Sequence, residues 1–226
     1  MDIYRKNDID NNLSLLHVRP LDVMIVGATG AGKSTTLNAI FNSEVAKVGR
    51  GVDPETMEIR DFSIERLIRF WDTPGLGDNI KKDEQYSKKM IDLLYEKYSY
   101  NSKNYGLVDM VLVVLDGTGR DMGSTYKLLR DVIVPNFPKD RILVGINQAD
   151  MAMKGRHWNF MINKPDDTLE GFLEEKCNSV VERVKEATGI KIKKPVYYSG
   201  EQNYNIHKLM DFIIDNMPKE RRKLVL

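Results

Sequence analysis

Cysteine is almost absent: Cys177 stands alone in 226 residues, so no internal disulfide can form and a small disulfide-stapled scaffold is excluded. Long apolar runs are missing as well. The richest stretch, Met110 to Leu115 with its neighbours, falls far short of the ~20 residues that cross a bilayer. No basic-then-apolar N-terminal segment ends in a small-residue cleavage site, which leads us to expect a cytoplasmic protein, at most peripheral to membranes. Neither charge sign dominates, with 34 Lys plus Arg against 33 Asp plus Glu and a formal net charge of +1. That balance disfavours a nucleic-acid coat or a polybasic membrane protein, although a local patch could still serve an RNA or ribosome contact. His157 and His207 have no Cys or acidic neighbours at zinc spacing and are expected at the surface.

What is present is an alternation of short apolar runs with longer mixed segments. Leu21 to Val26, stopped by Gly27, reads as a buried strand, and Val108 to Leu115, Ile142 to Ile146 and Pro195 to Tyr198 read the same way. Met57 to Phe62 and Glu65 to Trp71 are predicted as two strands turning near Ser63, with the charged first strand at a sheet edge. Helices are predicted at Thr35 to Phe41, Asp83 to Tyr98, Ser124 to Val134, Thr168 to Ala187 and Asn205 to Met217. The fourth has Thr168 as its expected N-cap and Gly189 just past its end. Strands joined through helices predict an α/β fold, a mostly parallel, doubly wound sheet between helical layers with one antiparallel edge strand. One domain over 21–217 takes most of the chain. It leaves an N-terminal extension over 1–20, with Ile9, Leu13, Leu16 and Val18 on an amphipathic helix, and a basic tail over 218–226 expected to be a solvated helix end.

Gly27-Ala28-Thr29-Gly30-Ala31-Gly32-Lys33-Ser34 fits the pattern Gly, four residues, Gly, Lys, Ser, and it follows a strand and opens a helix. Glycines let successive N–H groups turn inward and the helix N-terminus adds its positive dipole end, so the turn suits a phosphate. Gly27, Thr29, Gly30, Ala31, Gly32 and Thr35 are expected to line it, Lys33 to bring a cation to the outer phosphates, and the Ser34 hydroxyl to ligate Mg2+. Asp72, ending the third strand in Asp72-Thr73-Pro74-Gly75, is expected to hold that ion through a water, and the Gly75 N–H to meet the γ-phosphate. In the polar loop Glu44 to Thr56, Thr56 is the candidate for a second hydroxyl ligand. Lys33, Thr56 and Gly75 are therefore the candidate catalytic groups, and Ser34, Thr56 and Asp72 the candidate metal ligands.

Asn147-Gln148-Ala149-Asp150 follows another strand end. A carboxylate at Asp150 accepts hydrogen bonds from both the ring N–H and the exocyclic amine of guanine, a donor pair that adenine lacks. A GTP/GDP site is expected on that ground, and a P-loop ATPase or kinase is disfavoured. Asn147 is expected to brace the phosphate turn, Gln148 to cover the base with its stem, and Ser199-Gly200 to offer a backbone N–H to the guanine oxygen.

These blocks in this order resemble the translation-factor class of P-loop GTPases, most closely the Era-like branch that contains ribosome-associated members, over Leu21 to Met217. The resemblance implies a three-layer G domain acting as a Mg2+-dependent switch, whose loops at Glu44 to Thr56 and Gly75 to about Glu84 order around GTP and relax after hydrolysis. It also implies slow turnover, because Leu76 stands where many relatives carry the glutamine that orients water. The alternative is a nucleotide-gated interaction module, such as a GTP-dependent homodimer. Gly30 replaces the Asn of potassium-using members, Gln148 the commoner Lys, and Gly200-Glu201 the usual Ala-Lys, while Arg50 is a weaker candidate for an internal arginine finger. Met151 to Asp167, with His157, Trp158, Phe160 and Met161, is long for a connection. It is read as aromatic residues plugging a surface groove, or else as a base cover or a docking segment.

Overall fold

Side chains of the central strands part alternately into two apolar clusters, and that division sets the layers. The computed structural model describes residues 4–16, 20–42, 58–77, 80–119 and 122–224. Its first half contains α1 (Lys6–Leu16), β1 (Leu21–Val26), α2 (Lys33–Asn42), β2 (Arg60–Ile64), β3 (Ile68–Asp72), α3 (Ile80–Tyr95), β4 (Lys97–Tyr100), β5 (Lys103–Gly106) and β6 (Met110–Asp116). There follow α4 (Gly123–Leu128), which widens into a π-helical turn over Leu129–Ile133, α5 (Val134–Asn136), β7 (Ile142–Asn147), β8 (Trp158–Asn159), β9 (Lys164–Pro165), α6 (Asp167–Thr188), β10 (Val196–Tyr197) and α7 (Ile206–Asp215).

The main sheet has the order β10-β7-β6-β1-β3-β2, parallel throughout except for β2, which pairs antiparallel with β3 at the edge. Val23, Ile25, Met110 and Leu112 pack toward α1, α2 and α7, whereas Met24, Val26, Val111 and Val113 pack toward α3, α4 and α6. A strand apolar on both faces needs a helix layer on each side, which parallel crossovers supply. The expected α/β architecture with one antiparallel edge strand is therefore what the chain forms. Among the described residues no helix is long and apolar enough to cross a membrane.

Local corrections all trace to side-chain placement. The β2–β3 turn falls at Glu65, which takes a positive φ of 47°, and not near Ser63; this register sets Phe62 opposite Phe70 and Ile64 opposite Ile68. Helix α3 stops at Tyr95, and residues expected to extend it form the β4–β5 hairpin, turned by Asn101 and Ser102 at φ of 49° and 60°. Two successive positive-φ residues give the mirror-image turn that suits strand twist. The N-cap of α6 is Asp166, whose Oδ1 accepts the Leu169 N–H at 3.0 Å, in place of Thr168, while Gly189 ends it at φ 73° as expected. Burial of Cys177 on the inner face of α6 pushes its thiol up to about 12. Native protein should therefore resist thiol-directed labelling at neutral pH and react fully in denaturant; rapid native labelling would contradict this packing.

The basic tail is not a solvated helix end. Arg222 is only 3% exposed, its Nε donating to the Val108 carbonyl at 2.7 Å and its Nη2 to the Leu94 carbonyl at 2.6 Å. Arg221 lies 3.7 Å from the Tyr100 ring centroid and 4.9 Å from that of Tyr105, and donates to the Leu16 carbonyl. The tail thereby clips the β4–β5 hairpin to the body. Burial holds the Arg222 guanidinium down to about 10.

Beneath it, burial pushes the Asp109 carboxyl up to about 7, with the Asp22 N–H, which donates to it at 3.1 Å, opposing the shift. In the unfolded chain an aspartate titrates near ~3.9, so the native state binds the extra proton between about 4 and 7, and stability contributed by this group falls as pH rises through that window. Asp109→Asn keeps the acceptor for Asp22 and should remove that fall, up to a few kcal/mol, in urea titrations at the two ends of the window. An unchanged pH slope would show that Asp109 is ionised throughout.

Candidate nucleotide-binding site

Five loops meet at the C-terminal ends of β1, β3, β6, β7 and β10. The turn from Gly27 to Gly32 carries the chain from β1 into α2, and Lys33, at the start of that helix, bends back so that Nζ donates to the carbonyls of Gly27 at 3.3 Å and Ala28 at 3.1 Å. Gly30 and Gly32 both have left-handed φ, 78° and 83°. At Gly32 a side chain is barred twice over, since a Cβ there would lie 2.2 Å from Asn147 Nδ2.

The Asp72-to-Leu76 segment lies directly on this turn. The Thr29 N–H donates to the Leu76 carbonyl at 2.9 Å, and a Cβ on Gly75 would come within 2.6 Å of Thr29 Cα, so only glycine permits the approach. Ser34 Oγ donates to Asp72 Oδ2 at 3.1 Å, with Asp72 fully buried. A hydroxyl and a carboxylate side by side are the hard oxygen donors that Mg2+ takes, so the pair fits an ion held by Ser34 directly and by Asp72 through a water. Thr56, Arg50 and the loop Glu44 to Thr56 lie outside the described residues, so the second hydroxyl ligand is not placed.

The strand-end block at β7 joins the phosphate turn to β10. Asn147 Nδ2 donates to the Ala31 carbonyl at 3.1 Å and the Gly32 carbonyl at 3.3 Å, and its Oδ1 accepts the Gly200 N–H at 2.9 Å. A purine oxygen would have to compete with Asn147 for that N–H, so in this state Gly200 serves as a brace. Gln148, at φ 60°, donates through Nε2 to the Gly30 carbonyl at 2.9 Å. Ser199 Oγ caps its own loop by accepting the Gln202 N–H, and Gly200 approaches α2 so closely that a Cβ would sit 3.1 Å from the Thr35 carbonyl.

Asp150 is 3% exposed and its Oδ1 has no hydrogen-bond partner among the described residues. A buried carboxylate oxygen left without a donor is costly, and in native proteins it points to a missing ligand or water.

Several contacts at the site escaped sequence reasoning. Thr36 Oγ1 accepts or donates at 2.8 Å to the Tyr198 hydroxyl in the core, locking α2 to the end of β10. Gly117 passes under Asn147, its N–H donating to the Asn147 carbonyl at 2.7 Å, and Lys176 from α6 holds the Gly117 and Gly119 carbonyls. These contacts join residues far apart in the chain, and no spacing announces them. His157 is confined to the surface, paired with Asp166 at 2.8 Å, and Trp158 is buried edge-on against Tyr204, so part of the 151–167 segment does plug a local groove. Phe160 and Met161 do not, being exposed.

A strand–turn–helix phosphate cradle, a hydroxyl–carboxylate pair beside it and a buried acid at a neighbouring strand end define a P-loop nucleotide-binding domain. Residues 22–148, more than half of the chain, match the family model described as 50S ribosome-binding GTPase, and the chain belongs to that family. Septin-8-B of Xenopus laevis is 35% identical over 86 residues, a match covering 34% of this chain and 20% of the septin. The chain thus spans about a fifth of the length of such relatives. The probable GTP-binding protein EngB of Thermotoga petrophila is 25% identical over 137 residues, covering 60% of this chain and 66% of that protein. Among solved structures, Era in complex with MgGDPNP and a segment of 16S ribosomal RNA superposes with a TM-score of 0.56 at 19% identity, over 93% of this chain and 60% of that one. That likeness shows the fold.

Proposed function

We propose that the chain binds GTP and GDP and hydrolyses GTP to GDP and phosphate as a Mg2+-dependent switch, at a slow intrinsic rate. The observation that carries the reading is Asp150 Oδ1, buried and without a donor among the described residues, just past the end of β7 on the same rim of the sheet as the phosphate cradle. Guanine supplies two donors on one edge, which a single carboxylate accepts together. The N–H groups of Gly30 and of Gly32 to Ser34 receive the phosphates, the Thr29 N–H being engaged by the Leu76 carbonyl, and Lys33 exchanges its loop carbonyls for phosphate oxygens. Ser34 and Asp72 hold Mg2+, with Thr56 as the further ligand, and the ion offsets charge on the outer phosphates. Gly75 gives its N–H to the γ-phosphate, and the attacking water is not held by Leu76, which is apolar and buried.

The same reading takes 21–217 as the G domain, with an N-terminal extension and a C-terminal tail that pack on it, in a cytoplasmic protein of the Era-like branch. Phosphate release from GTP by purified protein, with and without Mg2+, tests it. No release over hours would remove the hydrolase and leave the second reading, a GTP-gated interaction module acting through a homodimer or an RNA or ribosomal partner. Leu76, in place of a water-orienting glutamine, favours that second reading. Light scattering with GDP and with a non-hydrolysable GTP analogue separates the homodimer from the monomer.

A further inference from the structure

The segment between the base-reading block and α6 builds a small hairpin that displays apolar side chains outward. β8 and β9 pair Trp158 with Pro165 and Asn159 with Lys164, and the tip between them is Phe160-Met161-Ile162-Asn163. Its base is fixed from inside. Trp158 is buried against Tyr204 with ring centroids 5.1 Å apart, and Asn163 Nδ2 donates to the Gln202 carbonyl at 2.7 Å. Its crown is fixed too, since Asn159 Oδ1 accepts the Met161 N–H at 3.0 Å and the Ile162 N–H at 3.4 Å. The three apolar residues on this rigid mount are 64%, 96% and 63% exposed at Phe160, Met161 and Ile162. No other run of consecutive large apolar side chains is so exposed among the described residues.

Charge within the hairpin segment itself is of one sign, and the nearest acids in sequence, Asp166 and Asp167, stand at the start of α6, Asp166 paired with His157. Met151 to Pro165 contains Lys154, Arg156 and Lys164 and no Asp or Glu. All three cations are exposed, and none has a carboxylate partner among the described residues. The chain as a whole is nearly neutral, so this concentration is local. An apolar protrusion inside a basic collar matches the interface of an anionic bilayer, where hydrocarbon lies under phosphate headgroups. A protein partner generally meets a flatter patch whose apolar centre is already partly enclosed, and RNA would call for stacking rings, of which the tip offers only Phe160.

We propose that the Phe160-Met161-Ile162 tip inserts into an anionic lipid surface, with Lys154, Arg156 and Lys164 drawn to the headgroups. The insertion is independent of the nucleotide reading. It places the base-reading end of the domain toward the lipid, because the hairpin begins just after Asp150 and is tied to the loop that follows Ser199. The test is sedimentation of the full chain with phosphatidylcholine vesicles and with vesicles that also contain phosphatidylserine. Wild-type protein should partition onto the anionic vesicles at least ~10-fold better than onto neutral ones, with the preference reduced at high salt. Phe160→Asp with Met161→Asp should cut the anionic binding ~10-fold, and Lys154→Glu with Arg156→Glu should abolish the preference for phosphatidylserine. Unchanged melting of each variant, and unchanged nucleotide binding, shows that the loss lies at the tip. Wild-type protein that stays in solution with anionic vesicles overturns the proposal, as does a tip variant that sediments as well as wild type. Tip-dependent capture of RNA or of a protein without vesicle binding overturns it equally.

Discussion

Asp150→Asn is expected to weaken GTP and GDP binding by roughly 10^2- to 10^4-fold, the equivalent of about 3 to 5 kcal/mol for two charge-assisted hydrogen bonds. The loss is specific to the base: an amide presents one acceptor and two donors to an edge that needs two acceptances. Stability of the ligand-free protein should move the other way or not at all, because the substitution replaces a buried carboxyl whose Oδ1 has no partner among the described residues. Nucleotide titration and thermal melting of the same sample separate these effects. Affinity for GTP within threefold of wild type would show that Asp150 does not read the purine.

Lys33→Ala is expected to lower GTP and GDP affinity by roughly 10^3-fold or more, and to leave GTP turnover undetectable, since the cation acts on phosphates in the ground state and more strongly as charge develops in transfer. Its Nζ is also a donor to Gly27 and Ala28, so a loss of loop order could mimic a loss of charge. Guanosine, which has no phosphate, distinguishes them. Its weak binding should survive Lys33→Ala if Asn147 and Gln148 keep the turn in place through the Ala31, Gly32 and Gly30 carbonyls. Equal losses for guanosine and GTP would assign Lys33 a structural part only.

Neither substitution falls on a residue that depended on the structure to be found. The phosphate turn is legible because it is built from neighbouring backbone amides, and glycine spacing encodes it directly: Gly32 allows both its left-handed φ and the approach of Asn147. Asp72 and Asp150 are legible because parallel strands deliver their C-terminal ends to one rim of a sheet. Apolar runs at 21–26, 110–115 and 142–146 were sufficient to identify the central strands of that sheet, since strands covered on both faces have no polar alternation to confuse them.

Elsewhere local pattern misled. Residues 97–106 have helix-compatible composition at their start, yet Tyr98 and Tyr105 stack at 5.8 Å across a hairpin that the tail completes. The charges of the tail suggested solvent, but Arg222 is buried and donates to the backbone carbonyls of Val108 and Leu94. An arginine is buried or exposed according to which acceptors the fold leaves open, and sequence does not record them.

What the sequence determined by itself was the kind of sheet, the glycine-rich turn between β1 and α2, and the placing of Asp72 and Asp150 at strand ends, because each depends on short-range backbone geometry or on strand ends that parallel topology brings together. Tertiary structure alone decided the direct hydrogen bond of Ser34 to Asp72, the lack of a partner for Asp150 Oδ1 among the described residues, the burial of Arg222 and the outward display of Phe160 to Ile162. Those four features depend on which groups meet after distant segments pack, and the free energy of a polar or apolar group is set by its final surroundings.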